Sequence, residues 1–253
     1  MAVIGIMSAM QEELAAVLAA MPHEHRITVA GRDFWVGHWQ GHSVVVVLSR
    51  IGKVAAATTA TVLLERFAVD TLVFTGVAGG LGAGVRVGDV VVANGFVQHD
   101  MDASPLFPRH EVPMYGRARF EADAELALQL AKASAQVLAD AALHLGAGTL
   151  ADFQLHAPRM HQGLVISGDR FVSASAESQV LRQALPEALA VEMEGAAVAQ
   201  VCHDFGVPFA AVRTISDRAD DTAHTDFQRF IREVASRYSL AIVSRWLSRR
   251  QPA

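Results

Sequence analysis

The chain has one cysteine, Cys202, so no internal disulfide can form. Cys202 lies in a run that reads as a buried helix, where a thiol packs as a small apolar group rather than acting as a nucleophile. No apolar stretch reaches the ~20 residues that a membrane helix needs. No basic block appears, and the formal charge of -5 argues against a nucleic-acid surface. Ser248-Arg249-Arg250 comes nearest to one and reads as the cap of a last helix. The first residues lack a basic region ahead of their apolar start, and Gln11-Glu12-Glu13 follows at once, so no secretory signal is expected. A cytoplasmic location is the expectation that follows. There are no repeats, low-complexity segments or linkers.

What is present is a core. The chain has 253 residues, of which 52% are apolar and 19% charged, enough for one large domain over residues 1–253. Val3–Met7 reads as a buried strand, and Met10, Glu13, Leu14, Val17 and Leu18 then recur at helical spacing. Phe34–Trp39 and Ser43–Leu48 form a hairpin pattern across Gln40-Gly41-His42. Lys53–Phe67 is alanine-rich and helical, Thr71–Thr75 is a strand, and Val85–Val97 is mostly strand with a bend at Gly88-Asp89. Ala122–Ala141, Gly195–His203 and Phe227–Leu247 read as helices, and Gly163–Ser167 and Pro208–Ile215 as strands. This alternation predicts a three-layer α/β/α sandwich around a central mixed, largely parallel sheet. Residues 99–116, with Pro105, Pro108 and Pro113, form the longest loop; long loops in compact domains are usually functional or mobile.

Three carboxylates fall just beyond the ends of buried strands: Glu13, Glu194 and Asp217. In open α/β sheets that is where the ligand crevice lies. Glu13 is on the inward stripe of its helix. Glu194 shares a stripe with Ala197, Val198 and Val201, with Glu192 two residues away on a different face; either glutamate could be a helix-start acid near a positive dipole end, or Glu194 is a pocket carboxylate that binds hydroxyls. Asp217 ends the strand that carries Arg213, with Asp220 and Asp221 nearby, and could simply cap a turn. A buried Arg213 demands a carboxylate partner. Gly76-Val77-Ala78-Gly79-Gly80 leads into a strand rather than a helix, so it is no dinucleotide fingerprint; it reads as a backbone floor that lets a flat ligand come close. His99, Asp100, Asp102 and His110 match no metal spacing and read as loop polarity.

Read in order, these segments resemble the 5'-methylthioadenosine/S-adenosylhomocysteine nucleosidase family of the nucleoside phosphorylase superfamily. The carriers are Gly5-Ile6-Met7-Ser8-Ala9-Met10-Gln11-Glu12-Glu13, Ile51-Gly52-Lys53-Val54-Ala55-Ala56, Phe74-Thr75-Gly76-Val77-Ala78-Gly79-Gly80 and Val87-Gly88-Asp89-Val90-Val91-Val92. They continue with Ser167-Gly168-Asp169-Arg170-Phe171-Val172, Val191-Glu192-Met193-Glu194 and Val212-Arg213-Thr214-Ile215-Ser216-Asp217. The resemblance runs nearly end to end. It implies a nucleoside phosphorylase-like fold and hydrolysis of the N-ribosidic bond of an adenine nucleoside, with no metal or organic cofactor.

By that resemblance, Asp217 would protonate N7 of the leaving adenine, with Ser216 orienting it. Glu13 would hold the attacking water as base, and Glu194 would bind the ribose hydroxyls with Arg213 close by. Met193 would pack under the ribose, Phe171 would stack on adenine, and the Val172 backbone would read its edge. Val77, Ala78 and Gly79 would form the floor, and Met10, Ile51 and Phe227 would line the pocket for the 5' substituent. A homodimer is implied, with the partner's loop 103–114 near that pocket. Ribosyl cleavage passes through an oxocarbenium-like state. Adenine leaves poorly as an anion, so protonating it is worth orders of magnitude. A free aspartate titrates at ~3.9, so the acid must be raised by burial or a polar partner.

Two positions depart from the family pattern. Val77 stands where many members carry serine, which removes a hydroxyl contact. Residues 101–113 form a proline-containing loop unlike the shorter aromatic loop of the best-known members, which leaves the 5' group open. Hydrolysis of 6-amino-6-deoxyfutalosine is therefore an alternative within the same chemistry. A phosphorylase is a second alternative, but the first arginine is Arg26, and an acid at position 13 would repel phosphate. A non-catalytic purine-binding protein is the third.

Overall fold

A computed structural model describes residues 2–21, 23–219 and 227–251. The strands are β1 (Val3–Ser8), β2 (His25–Val29), β3 (Arg32–Trp39), β4 (His42–Leu48), β5 (Thr71–Gly80), β6 (Val90–Gln98), β7 (Arg119–Glu121), β8 (Met160–Ser167), β9 (Ala188–Glu192) and β10 (Phe209–Asp217). The helices are α1 (Gln11–Ala19), α2 (Lys53–Phe67), α3 (Ala124–Ala139), α4 (Ala141–Leu145), α5 (Ala147–Asp152), α6 (Ser175–Ala184), α7 (Gly195–Phe205), α8 (Phe227–Phe230) and α9 (Ser236–Leu247). A π-helical turn at Ile231–Ala235 joins the last two.

All the strands belong to one mixed sheet, in the order β10-β6-β8-β9-β5-β1-β4-β3-β2, with β7 on the flank of β6. The sheet also curls back on itself. β10 pairs with both β6 and β5, and β5 meets β9 at Gly79–Val191, so these strands close a ring. β4–β1, β1–β5 and β5–β10 are parallel pairs, β10–β6 and β5–β9 are antiparallel, and β2-β3-β4 is an antiparallel edge.

Period-two alternation along the buried strands splits the core between the two faces. Ile4, Ile6, Val44 and Val46 pack with Leu130, Tyr238 and Trp246 from α3 and α9 on one side. Met7, Val45, Val47 and Phe74 pack with Ala56, Leu63, Ala196 and Val198 from α2 and α7 on the other. That is the three-layer arrangement expected. Each fully buried Val, Leu or Ile contributes about 1.5–3 kcal/mol.

Several elements differ from the sequence expectation. β5 continues through the glycine run to Gly80. Residues 85–89 are turn rather than strand: Gly88 has φ +84°, and the Asp89 carboxylate accepts the amides of Arg86 (3.0 Å) and Arg159 (2.8 Å). α3 begins at Ala124 because Asp123 caps it, accepting the Leu126 amide at 2.8 Å. β2 and α6 were not anticipated; β2 is an edge strand whose side chains are mostly exposed, so it lacks the apolar alternation that would reveal it.

Candidate active site

The carboxyl ends of β1, β5, β9 and β10 surround a pocket of roughly 220 Å³. Its floor is Val77, Ala78 and Gly79. Its acids are Asp217, Glu192 and Glu194. Its apolar wall includes Met10, Ile51, Phe171, Val172, Met193 and Phe227, with Ser216 beside Asp217. Of the residues singled out in the sequence, Glu13 and Arg213 do not line this space; both are fully buried.

Asp217 is aimed by a bulge. The register between β10 and β5 slips after Ile215, so Ser216 is the extra residue and Asp217 faces Gly79. Ser216 Oγ donates to Asp217 Oδ2 at 2.8 Å, and the Ala219 amide donates to Oδ1 at 2.7 Å. Gly79 is needed at this contact: a Cβ there would sit 3.0 Å from Asp217 Oδ1 and 2.9 Å from Ala219 Cβ. Asp220 and Asp221 lie outside the described residues. Thr214, in register with Val77, has a buried Oγ1 with no partner among the described residues.

Glu194 is not on a helical stripe. It is the residue ahead of α7, with φ −137° and ψ −40°. The helix-start role falls to Glu192, whose carboxylate accepts the amides of Gly195 (2.9 Å) and Glu194 (3.2 Å). Glu194 is thereby left to face the pocket, where its Oε1 accepts the Gly52 amide at 2.9 Å. Burial, and then the neighbouring Glu192, push the Glu194 carboxyl up to about 7, against the pull of the Gly52 amide and Arg213.

Glu192 is also the partner that Arg213 demanded. Arg213 Nη2 lies 2.8 Å and Nε 3.3 Å from Glu192 Oε2. Its Nη1 donates to the carbonyls of Phe74 (3.1 Å) and Val212 (3.2 Å), and its guanidinium lies 4.1 Å over the Phe74 ring. Ser167 Oγ donates to Glu192 Oε1 and accepts the Ala196 amide at 2.8 Å. The sequence offered Glu192 as a helix-start acid but not as the partner of Arg213. The lone arginine on an apolar strand was the signal that a second acid had to be close.

Glu13, in the first turn of α1, accepts Ser239 Oγ at 2.8 Å through Oε1 and the Met10 amide at 3.2 Å through Oε2. Burial raises its pKa; the Ser239 bond and the Arg213 charge oppose this. Ser239, on α9 far along the chain, gave no sequence signal. At the mouth, the Phe171 and Phe227 rings meet edge to face, with centroids 5.9 Å apart. Arg170 also lines the pocket and pairs with Glu177 at 3.2 Å. Among the described residues, no group of three or more His, Cys, Asp or Glu could hold a metal ion, and no helix is long and apolar enough to cross a membrane.

The arrangement is a largely apolar pocket with three acids in its wall, suited to a planar base joined to a hydroxyl-bearing ring. Residues 3–247 match the family model of the phosphorylase superfamily. The 5'-methylthioadenosine/S-adenosylhomocysteine nucleosidase of Neisseria meningitidis, solved with methylthio-immucillin-A, is 32% identical with a TM-score of 0.84, covering 98% of this chain and 99% of that one. The corresponding S. pneumoniae enzyme is 33% identical, TM-score 0.83, covering 97% and 98%. The futalosine hydrolase of Helicobacter pylori is 32% identical, TM-score 0.81, covering 96% and 97%. The chain belongs to the phosphorylase superfamily and, within it, to the 5'-methylthioadenosine/S-adenosylhomocysteine nucleosidase family. It is a nucleosidase, a hydrolase of N-ribosidic bonds.

Proposed function

We propose that this enzyme cleaves 5'-methylthioadenosine, S-adenosylhomocysteine or both, releasing adenine and the 5'-thio-substituted ribose. The observation that carries this reading is the pairing of Asp217 and Glu194 across one apolar slot that also holds Phe171 and Met193. Asp217 is the general acid at N7, held by Ser216 and the Ala219 amide. Glu194 takes the ribose hydroxyls, and Arg213 acts through Glu192, locking the acid pair in place. Glu13 activates the water; its buried, Ser239-bonded carboxyl is raised above the ordinary glutamate value, which favours its taking a proton. Phe171 stacks on the base, the Val172 backbone reads its edge, and Val77, Ala78 and Gly79 lie beneath it. Met10, Ile51 and Phe227 meet the 5' group. None of these steps calls on a metal or an organic cofactor.

A homodimer in the cytoplasm fits this reading. Ile51, Val54, Leu106 and Met114 expose large apolar side chains at the start of α2 and in the 99–116 loop, a face suited to a second copy that brings its loop 103–114 near the 5' pocket. No nucleic acid or membrane is invoked. The futalosine hydrolase likeness, equal in identity to the first nucleosidase, supports 6-amino-6-deoxyfutalosine as the second reading. Comparing kcat/KM for the three nucleosides tests the assignment: a preference for either thio-nucleoside upholds it, and turnover of the deoxyfutalosine alone replaces it.

A further inference from the structure

Three loops leave the carboxyl ends of β4, β6 and β8 and meet at the pocket rim, and three side chains tie them into a ring. The Lys53 amide donates to Asp169 Oδ1 at 2.7 Å. The Asp169 amide donates to Asp100 Oδ2 at 2.9 Å. Lys53 Nζ donates to Asp100 Oδ1 at 2.6 Å, which closes the circuit. Lys53 Nζ also reaches Gln98 Oε1 at 3.1 Å, and Gln98 Nε2 bonds Gln200 Oε1 of α7 at 2.8 Å.

The ring adjoins the site on two sides. Gly52, next to Lys53, gives its amide to Glu194 Oε1. Asp169 is two residues before Phe171. Gly52 holds φ +94°, and a Cβ there would lie 3.1 Å from Asp169 Oδ1, so the close approach of the two loops requires glycine as well as the ring. No step of the proposed chemistry uses Lys53, Asp100 or Asp169.

We propose, resting on the nucleosidase reading above, that Lys53, Asp100 and Asp169 are positioning residues: a clasp that fixes the ribose-binding carboxylate Glu194 relative to the base-stacking segment around Phe171. Burial pushes the Asp100 carboxyl up, but the bonds from Lys53 and the Asp169 amide hold it below its usual range, as a carboxylate committed to the ring would be. His99 is the further titratable group acting on it, and His99 in turn is influenced by Glu177 and His110. The charged groups facing Glu194 itself are Glu192 and Arg213, and they are untouched by changes in the clasp.

The experiment combines Asp100→Ala, Lys53→Met and the conservative Lys53→Arg. Amide exchange is followed across the chain, and adenine release from 5'-methylthioadenosine is measured as a function of pH. Asp100→Ala and Lys53→Met are expected to speed exchange together in residues 50–53 and 168–172, leaving the β5 and β10 amides unchanged. KM rises about tenfold while kcat changes less, because a uniform binding interaction is lost. The acid limb of kcat/KM moves to higher pH as Glu194 loses its fixed amide donor, and Lys53→Arg restores most of each effect. Faster exchange confined to residues 99–102, or an unchanged KM and pH limb in an active Asp100→Ala enzyme, overturns the clasp and leaves the nucleosidase reading intact. Wild-type enzyme that cleaves no nucleoside overturns that reading instead, and the exchange pattern then judges the clasp alone. A variant that does not fold is replaced by Asp100→Asn, which keeps one acceptor and is expected to loosen only one of the two segments; loosening of both, or of neither, counts against the ring.

Discussion

Arg213 Nη2 and Glu192 Oε2 lie 2.8 Å apart with both side chains almost wholly sealed from solvent. This pair fixes the floor of the acid cluster: Glu192 caps α7, and its neighbour Glu194 is turned into the pocket. A buried pair of this kind is costly to break from one side, because the remaining charge has no water to turn to.

Arg213→Met is therefore expected to destabilise the fold by about 3–5 kcal/mol. Arg213→Met combined with Glu192→Gln should recover part of that loss. Urea denaturation of both variants checks this, and equal destabilisation in the two would argue that the arginine acts through packing on Phe74 rather than through the ion pair.

Asp217→Asn keeps the size of the side chain and can still meet Ser216 and the Ala219 amide, but it cannot deliver a carboxyl proton. Adenine release should fall by about 10²–10⁴-fold with the melting temperature nearly unchanged. Near-normal turnover would remove Asp217 from the acid role.

Glu13 and Glu194 both have raised pKa values, with Glu194 at about 7. The folded protein therefore holds their protons after the unfolded chain has released them. Their favourable contribution is complete below the unfolded value of ~4.3 and is lost as pH rises through the folded values. Glu194→Gln stays neutral throughout, so its stability relative to wild type should climb as pH is raised from about 5 to about 8. Denaturation midpoints taken across that range give the answer; a constant difference would mean that Glu194 is ionised in the fold over the whole interval.

Ser239→Ala removes the hydroxyl that donates to Glu13 Oε1. Loss of a hydrogen bond to a charged group costs about 1.5–3 kcal/mol, and the base would be driven to a higher pKa. The acid limb of the rate profile should move upward in pH. A profile that keeps its shape while stability falls would confine Ser239 to a packing role.

Much of this was legible in the chain. The order of strands and helices, the ends of β1 and β10, and the convergence of Glu194 and Asp217 follow from apolar periodicity and from where acids fall after strands. What was hidden depends on tertiary geometry. The bulge at Ser216 that aims Asp217 has no local sequence mark. Ser239 reaches Glu13 across 226 positions of sequence. Helical periodicity left the helix-start role open between Glu192 and Glu194, because Glu194 stands outside α7 and its side chain does not follow the helix's stripe. The extension of β5 through its glycines was missed because glycine is a poor strand former, and the cost is met here by close packing against Asp217 and Ala219.

The most direct test of the proposed chemistry is product analysis of wild-type enzyme incubated with 5'-methylthioadenosine, with and without phosphate. Free adenine and methylthioribose in equal yield in both incubations is the predicted result. Cleavage only with phosphate, yielding the sugar phosphate, would contradict it and would take the role of base away from Glu13.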